Sequence, residues 1–369
     1  MGISGLPGTT YVAGHHSAVF ELYPKIMDTV TGILELAKAT MERHPVTISI
    51  AVIFGLQHIL RRVRKTRRSR ILLRTRERVL VIGASSGIGR AIAHEYAAKG
   101  SRVCVVGRRE QQLQQVADEC ASMVPVYAAG SAPDEASRIL PIKADFCNVD
   151  DMVALREQLE KEWGGLDTLV ISAGVSALRP LLEVAGVERR DGAFYPLHAG
   201  SEGVRCAVSA GTAAMQGNYV GPLICAVTFI PLLSSTSPAP SILLISSLAA
   251  VVPAPTRSLY ASTKGASLLL YQSLAIEHPS IAFTYVLPST VEGDFRASAV
   301  DGGHVREADP SKHGLRRDAV AKRCLEAVDR REKAVFIPTF TGRVGHLGYW
   351  LFPSIIERIA ARKYNYTAQ

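Results

Sequence analysis

Cysteine is scarce and scattered in this chain. Six stand among 369 residues, at positions 104, 120, 147, 206, 225 and 324, with no CxxC and no metal-ligand spacing. This argues against a disulfide framework and against a metal site. Apolar settings such as RVCVVG around Cys104 point to free, buried thiols in a reducing compartment. No fixed-period repeat is visible, which excludes a solenoid. Positive charge is also missing as a general property. Residues 61–78, RRVRKTRRSRILLRTRER, hold ten Lys/Arg and one Glu, so this tract alone accounts for the formal net charge of +9 and the remainder sums to zero. A nucleic-acid-binding face over the whole molecule is therefore not supported, and one local basic tract needs explaining. Extended apolar runs are short as well: VTISIAVIFGLQHIL at 46–60 has fewer than the roughly 20 residues a spanning helix usually needs.

What is present falls into four parts. Residues 1–22 are rich in Gly, Ser, Thr and His without a period, and are expected to be disordered. Residues 23–77 form a second part. Within it, 24–43 carry Ile26, Val30, Ile33, Leu34, Ala37 and Met41 at helical spacing, with Pro24 suited to a first turn. The apolar run and the basic tract follow. An apolar run with cations on one side resembles a membrane anchor whose basic flank faces the cytosol. An interfacial helix, or a nuclear-localisation-type tract beside a buried helix, stays open as the alternative. The first lysine is Lys25, so a cleaved signal peptide is not expected.

From residue 78 to about 340 the pattern alternates. RVLVI, SRVCVVG, RILPIKADF, LDTLVISAG, SILLISS, IAFTYVLP and AVFIP read as strands, with helical patterns between them. Apolar strands alternating with helices predict a single α/β domain, a Rossmann-like doubly wound parallel sheet covered on both faces. Segments 124–137 and 175–212 read as surface insertions, the second near a substrate entrance. Residues 341–369 form a hydrophobic helical tail in which Leu347, Tyr349, Trp350, Leu351, Phe352, Ile355 and Ile356 precede Arg and Lys, a composition that suits a membrane interface; a dimer contact or a helix packed on the core stays open as the alternative.

The first strand runs into GASSGIG, residues 83–89, which opens a helix. Gly83, Gly87 and Gly89 let the backbone come close to a pyrophosphate, and the helix N-terminus supplies N–H donors. Ser85, Ser86 and Ile88 complete this candidate cofactor turn. The second strand ends in GRRE. An acid there would accept from a ribose 2′-OH and favour NAD; Arg108 and Arg109 instead suit a 2′-phosphate, so NADP is preferred, with NAD still admitted. Further on, Tyr260 and Lys264 are spaced to share a helix face. A cation one turn away favours a phenolate over a phenol, which lets a tyrosine act as general acid and base.

Over about 78–340 these residues resemble the short-chain dehydrogenase/reductase family. The glycine turn looks like the family's cofactor turn. Asp145, with Phe146 after it, resembles its adenine-contacting acid, and Ser172-Ala173-Gly174 its Asn-Ala-Gly motif. Asn218 in GNYVGP resembles its helix asparagine. Ser247, thirteen residues before Tyr260, looks like its catalytic serine, and by that spacing Ser246 is the weaker choice. Departures are Ile82 before the first glycine, Ser172 in place of Asn, and LPSTVEGDF where Pro-Gly is common; by the resemblance, Val291 in this last stretch also meets the cofactor. The resemblance implies an oxidoreductase in which Tyr260, Ser247, Lys264 and Asn218 form the catalytic set and Tyr260 and Lys264 also meet the cofactor. It implies a membrane-associated member with a lipophilic substrate, attached to the endoplasmic reticulum or another internal membrane by its surface or one N-terminal span. The catalytic domain would face the cytosol, and the protein would bind no nucleic acid. A homodimer, a soluble-carbonyl reductase with incidental membrane contact, and a non-catalytic NADP-sensing protein remain alternatives.

Overall fold

The computed structural model describes residues 68–129, 137–303 and 310–366. The expectations for residues 1–22, 24–43, 46–60 and the first part of the basic tract lie outside them. The described residues form one compact unit. Its strands are β1 (Arg78–Ile82), β2 (Arg102–Gly107), β3 (Ile139–Lys143), β4 (Thr168–Ile171), β5 (Glu188–Arg190), β6 (Ala193–Tyr195), β7 (Ser241–Ile245), β8 (Ala282–Pro288) and β9 (Ala334–Ile337). Seven pair in the order β3-β2-β1-β4-β7-β8-β9, all parallel, while β5 and β6 make a separate antiparallel hairpin. The order reverses between β1 and β4, the switch point at which a doubly wound sheet opens a crevice above its C-terminal strand ends.

The longer helices are α1 (Gly87–Ala97), α2 (Glu110–Met123), α3 (Val149–Trp163), α4 (Ser201–Met215), α5 (Gly221–Thr236), α6 (Ser258–Glu277), α7 (Arg317–Asp329), α8 (Thr339–Leu351) and α9 (Pro353–Lys363). Side chains alternate along each central strand, so Val79 and Val81 face one core with α1, α2 and α7, while Leu80 and Ile82 face the other with α3, α5 and α6. Local chemistry sets the ends. Asn148 caps α3 by accepting from the N–H groups of Asp150 (2.9 Å) and Asp151 (3.2 Å), and Gly164 ends it in the left-handed region at φ 67°.

Three differences from the sequence reading matter. The helical run that follows the fourth strand begins at Ser201 and reaches Thr236, so much of the 175–212 insertion is helix, with the β5–β6 hairpin before it. This run is long and apolar enough to cross a membrane, but half of its most apolar window is buried in the domain, as a core helix requires. The hairpin has no signal in the sequence because all six of its residues are exposed and carry no buried period. Second, the hydrophobic tail is a helical pair, α8 and α9, joined at Phe352. Third, the described part of the basic tract is only partly solvated: Arg70 and Arg76 are exposed, but its other arginines are held by acids. Arg68 is buried, pairs with Glu77, and donates to the carbonyls of Ala239 (2.7 Å) and Asp167 (3.0 Å) and to Thr168 Oγ1 (2.8 Å). Arg74 pairs with Glu77 and Asp329, and Arg78 with Asp167. These cations brace the N-terminal ends of β1 and β4, the edge opposite the crevice. All six cysteines are free, and Cys104, Cys120, Cys225 and Cys324 are buried.

Candidate active site

The turn after β1 is shaped by its glycines. Gly83 adopts φ +85°, and a Cβ there would stand 2.6 Å from the backbone nitrogen of Ala173. A Cβ on Gly89 would overlap the carbonyl of Gly83. Both positions therefore exclude a side chain to let the β1 turn, the β4 end and α1 close on one another. Gly87, at φ +61°, instead faces open space. Ser86 enters α1 in extended conformation and makes no side-chain cap, which leaves the first-turn N–H groups without a side-chain acceptor.

This turn opens on a cavity of about 1220 Å³, lined by Gly83, Ser85, Ser86, Gly87, Ile88, Arg108 and Arg109 among others. Arg109 donates to both Ser85 Oγ and Ser86 Oγ (2.9 Å each). Arg108 reaches Asp145 only at 3.9 Å and is 72% exposed, so its guanidinium is weakly held. Asp145, Phe146, Ser172, Ala173 and Gly174 line the same space. Phe146 lies over Gly221 at the start of α5, where any Cβ would overlap the ring. Cys147 shares the cavity, but burial pushes its thiol up to about 11, so it is no nucleophile at neutral pH.

Tyr260 and Lys264 also line the cavity, one turn apart on α6, and both are buried. Lys264 Nζ donates to the Ile245 carbonyl at the end of β7 (3.1 Å). Burial pushes its ammonium below the usual lysine value, partly offset by Tyr260. A Cβ on Gly174 would stand 2.7 Å from Asn218 Oδ1 and 3.1 Å from Lys264 Nζ, so only glycine leaves these groups their places. Asn218 sits in a π-helical turn, Gln216–Val220, inserted between α4 and α5. The widened turn aims its amide sideways. Its Oδ1 accepts the Val175 N–H (2.9 Å), and its Nδ2 donates to the Val175 carbonyl and Thr263 Oγ1 (3.0 Å each). Asn218 is fully buried and, with Gly89, stands behind the cavity wall rather than on it. Ser247 Oγ accepts the Ala249 N–H (3.2 Å), which leaves its own proton free to donate. Ser246, the weaker choice by spacing, lines the cavity too, and its buried Oγ has no hydrogen-bond partner in the protein.

Val291, within the LPSTVEGDF stretch, lines the cavity as well, and Phe295 of the same stretch meets the Tyr260 ring edge-on (6.0 Å, 65°). The rest of the lining comes from residues that no sequence motif marked. Phe340 and Val344 of α8 and Ile356 and Ile359 of α9 close the wall. Lys363 ties α9 to the end of β8 through Ser289 Oγ (3.0 Å). Apolarity of the tail was visible in the sequence; its packing onto this cavity was not.

The residues fit a dinucleotide. The glycine cradle would be filled by a Cβ, the α1 N-terminus is uncapped, and two guanidinium groups stand at the β2 end, an electropositive arrangement suited to phosphates. The volume exceeds the roughly 300–1,000 Å³ of a usual single-ligand pocket, which leaves room for a second molecule beside it.

Comparison with known proteins agrees with this geometry. Residues 77–302 match the family described as short chain dehydrogenase. The chain is 29% identical over 215 residues to "11-beta-hydroxysteroid dehydrogenase-like 4A" of Arabidopsis thaliana, a match spanning 58% of this chain and 60% of that relative's length. It is 24% identical over 337 residues to "Dehydrogenase/reductase SDR family member 7B" of Mus musculus, covering 90% and 93% of the two chains. Among solved structures, an alcohol dehydrogenase from the archaeon Thermococcus sibiricus, complexed with 5-hydroxy-NADP, superposes with a TM-score of 0.53 at 20% identity, over 70% of this chain and 94% of its own.

Proposed function

We propose that this chain, which belongs to the short-chain dehydrogenase family, is an NAD(P)-dependent oxidoreductase that interconverts a carbonyl and a secondary alcohol on a lipophilic, lipid- or steroid-like substrate with NADP as preferred cofactor. The observation that carries this reading is the shared cavity. One continuous space is lined by the glycine turn and its arginines, by Tyr260 and Lys264, and by the apolar side chains of α8 and α9. The names of relatives, hydroxysteroid dehydrogenase-like among them, point to the same substrate class.

In reduction the bound cofactor supplies the hydride. Tyr260 gives its hydroxyl proton to the carbonyl oxygen, and in oxidation it takes that proton back. Lys264, depressed by burial and one turn away, steadies the phenolate and holds a proton close to it. Ser247 donates its free hydroxyl proton to the substrate oxygen and stabilises charge developing there. Asn218 positions: it pins the β4 loop at Val175 and reaches Thr263, the residue before Lys264. Gly83, Ser85, Ser86, Gly87 and Ile88 would cradle the diphosphate, with Asp145, Phe146, Ser172, Ala173, Gly174 and Val291 along the rest of the cofactor. Gly89 supports the turn from behind.

The wall formed by α8 and α9 turns apolar side chains outward as well as inward. Phe340 and Trp350 are each 78% exposed, and Leu347, Leu351, Phe352, Ile355 and Ile359 are exposed beside them. A cavity wall that is apolar on its solvent side supports attachment to a membrane surface, from which a lipophilic substrate enters. The apolar run at 46–60 and its basic flank support an internal membrane such as the endoplasmic reticulum, with the catalytic domain in the cytosol.

The test is NADPH oxidation by purified protein against ketolipids, steroid ketones and small soluble carbonyls. Turnover of the first two classes is expected; turnover confined to small soluble carbonyls would remove the lipophilic assignment. Replacing Arg108 and Arg109 together by Ala is expected to raise KM for NADPH by about tenfold to hundredfold, the worth of a charge-assisted hydrogen bond, and to leave KM for NADH nearly unchanged. Equal loss with both cofactors would refute the 2′-phosphate assignment.

A further inference from the structure

We propose that Arg257 is a positioning residue for Tyr260, one that holds its ring in place and stabilises the negative charge left on it when its proton departs. This rests on the reading of Tyr260 as proton donor. Arg257 stands three residues before Tyr260, at the start of α6, and is only 6% exposed. Its guanidinium carbon lies 4.2 Å from the centroid of the Tyr260 ring, well inside cation–π range. The same guanidinium donates through Nη2 to Ser176 Oγ (3.0 Å).

Ser176 is fully buried and belongs to the junction between the β4 loop and the segment that carries Phe295. Its carbonyl accepts the Val300 N–H (2.9 Å), and it pairs with Ala299 in an isolated parallel bridge. One turn of chain further, the carboxylate of Asp301 accepts the N–H groups of Leu178 (2.7 Å) and Arg179 (2.8 Å). Phe295, on the same segment, closes on the edge of the Tyr260 ring. The ring is thus held by a cation on its face and an aromatic at its edge, and both are tied to one loop junction. Arg257 is the link between that junction and the proton donor.

The chemistry makes the contact differential. In reduction the carbonyl carbon accepts a hydride from the reduced nicotinamide, which becomes oxidised, and the carbonyl oxygen accepts the Tyr260 proton. The phenolate that remains regains its proton from water. A cation over the ring attracts a phenolate more strongly than a phenol, and low exposure sharpens the difference. Stabilisation that grows during proton transfer raises kcat and leaves ground-state binding alone. Lys264 acts from along the helix; Arg257 acts on the ring face.

The experiment compares Arg257→Gln, Arg257→Met and Arg257→Lys with wild type and Tyr260→Phe, using a ketone that the wild-type enzyme reduces in the screen above. NADPH binding, read by nucleotide fluorescence, confirms that each variant is folded. The neutral variants are expected to lose about tenfold in kcat with KM for ketone and NADPH within about threefold of wild type, while Arg257→Lys retains most of kcat. Glutamine keeps a planar hydrogen-bond donor and loses only the charge, so a merely structural role would be served by it at least as well as by lysine. The proposal is overturned if Gln matches wild type, if Gln and Lys are equally impaired, or if the loss is confined to KM. Should both neutral variants fail to bind NADPH, Ser176→Ala is read instead: it removes the hydrogen bond from the guanidinium to Ser176 and keeps the charge, and an unchanged kcat there would also overturn the proposal. Tyr260→Phe separates the two readings. If it keeps full turnover, the proton-donor reading itself is wrong; if it is inactive while the Gln variant is normal, only the role of Arg257 fails.

Discussion

Tyr260→Phe is expected to lower kcat by about 10²- to 10⁴-fold, the usual worth of a positioned proton donor, while NADPH binding stays close to wild type. The substitution removes one hydroxyl and keeps the ring. The contacts that hold the ring, the Arg257 guanidinium on its face and Phe295 at its edge, do not involve that hydroxyl. The phenylalanine therefore fits the same space, and lost turnover reports lost chemistry rather than lost structure. Steady-state kinetics beside a direct NADPH-binding titration checks this. Full turnover by the variant would mean that another group protonates the substrate.

The second large effect concerns stability and lies at the other end of the sheet. Glu77→Gln is expected to lower the free energy of unfolding by about 3–5 kcal/mol, because it breaks a buried ion pair and leaves a buried cation behind. Glu77 is 1% exposed, pairs with Arg68 and Arg74, and accepts from Thr168 Oγ1 (2.6 Å). Without it Arg68, itself 1% exposed, keeps only neutral acceptors. Burial alone would raise the Glu77 carboxyl, but Arg68 and Arg74, with the Thr168 hydroxyl, outweigh it and hold the group below its ordinary value. A carboxyl depressed in the folded state contributes stability that is complete above its unfolded value of about 4.5 and is lost as pH falls through the folded value. Urea unfolding at neutral pH should show the loss in the variant. The gap between variant and wild type should narrow in acid. A variant as stable as wild type would mean that the Arg68–Glu77 pair only compensates its own desolvation. Because the cluster braces the strand ends away from the cavity, kcat of the folded variant should be unaffected.

How far the sequence disclosed this molecule depended on whether a feature was local. The inner strands of the parallel sheet were readable because both of their faces are covered, so they appear as short apolar runs such as RVLVI and SILLI. The glycine turn and the Tyr260–Lys264 pair were readable because their spacing is set within one turn or one helix. Features made by distant segments were not. The β5–β6 hairpin has no buried face to impose a period. The π-helical turn that aims Asn218 at Val175 is one inserted residue in an otherwise ordinary apolar helix. Arg257 gave no signal, since its meaning comes from Ser176 and from the loop bearing Phe295, both far away in sequence. The basic tract looked uniform, yet Arg68, Arg74 and Arg78 have acidic partners at least partly buried, of which Asp167 and Asp329 lie far along the chain. Charge counting cannot tell a solvated cation from one that closes a sheet end.

The central claim is that this site passes a hydride to a lipophilic carbonyl, with the proton coming from Tyr260. The most direct test incubates the purified protein with NADPH carrying deuterium at the transferable position and with a steroid or lipid ketone, then reads the product by mass spectrometry. The expected result is an alcohol with a single deuterium on the carbinol carbon, formed by wild type and almost absent with Tyr260→Phe. Tight NADPH binding with no deuterium transferred to any ketone or soluble carbonyl offered would contradict it and identify the fold as a nucleotide-binding module without this chemistry.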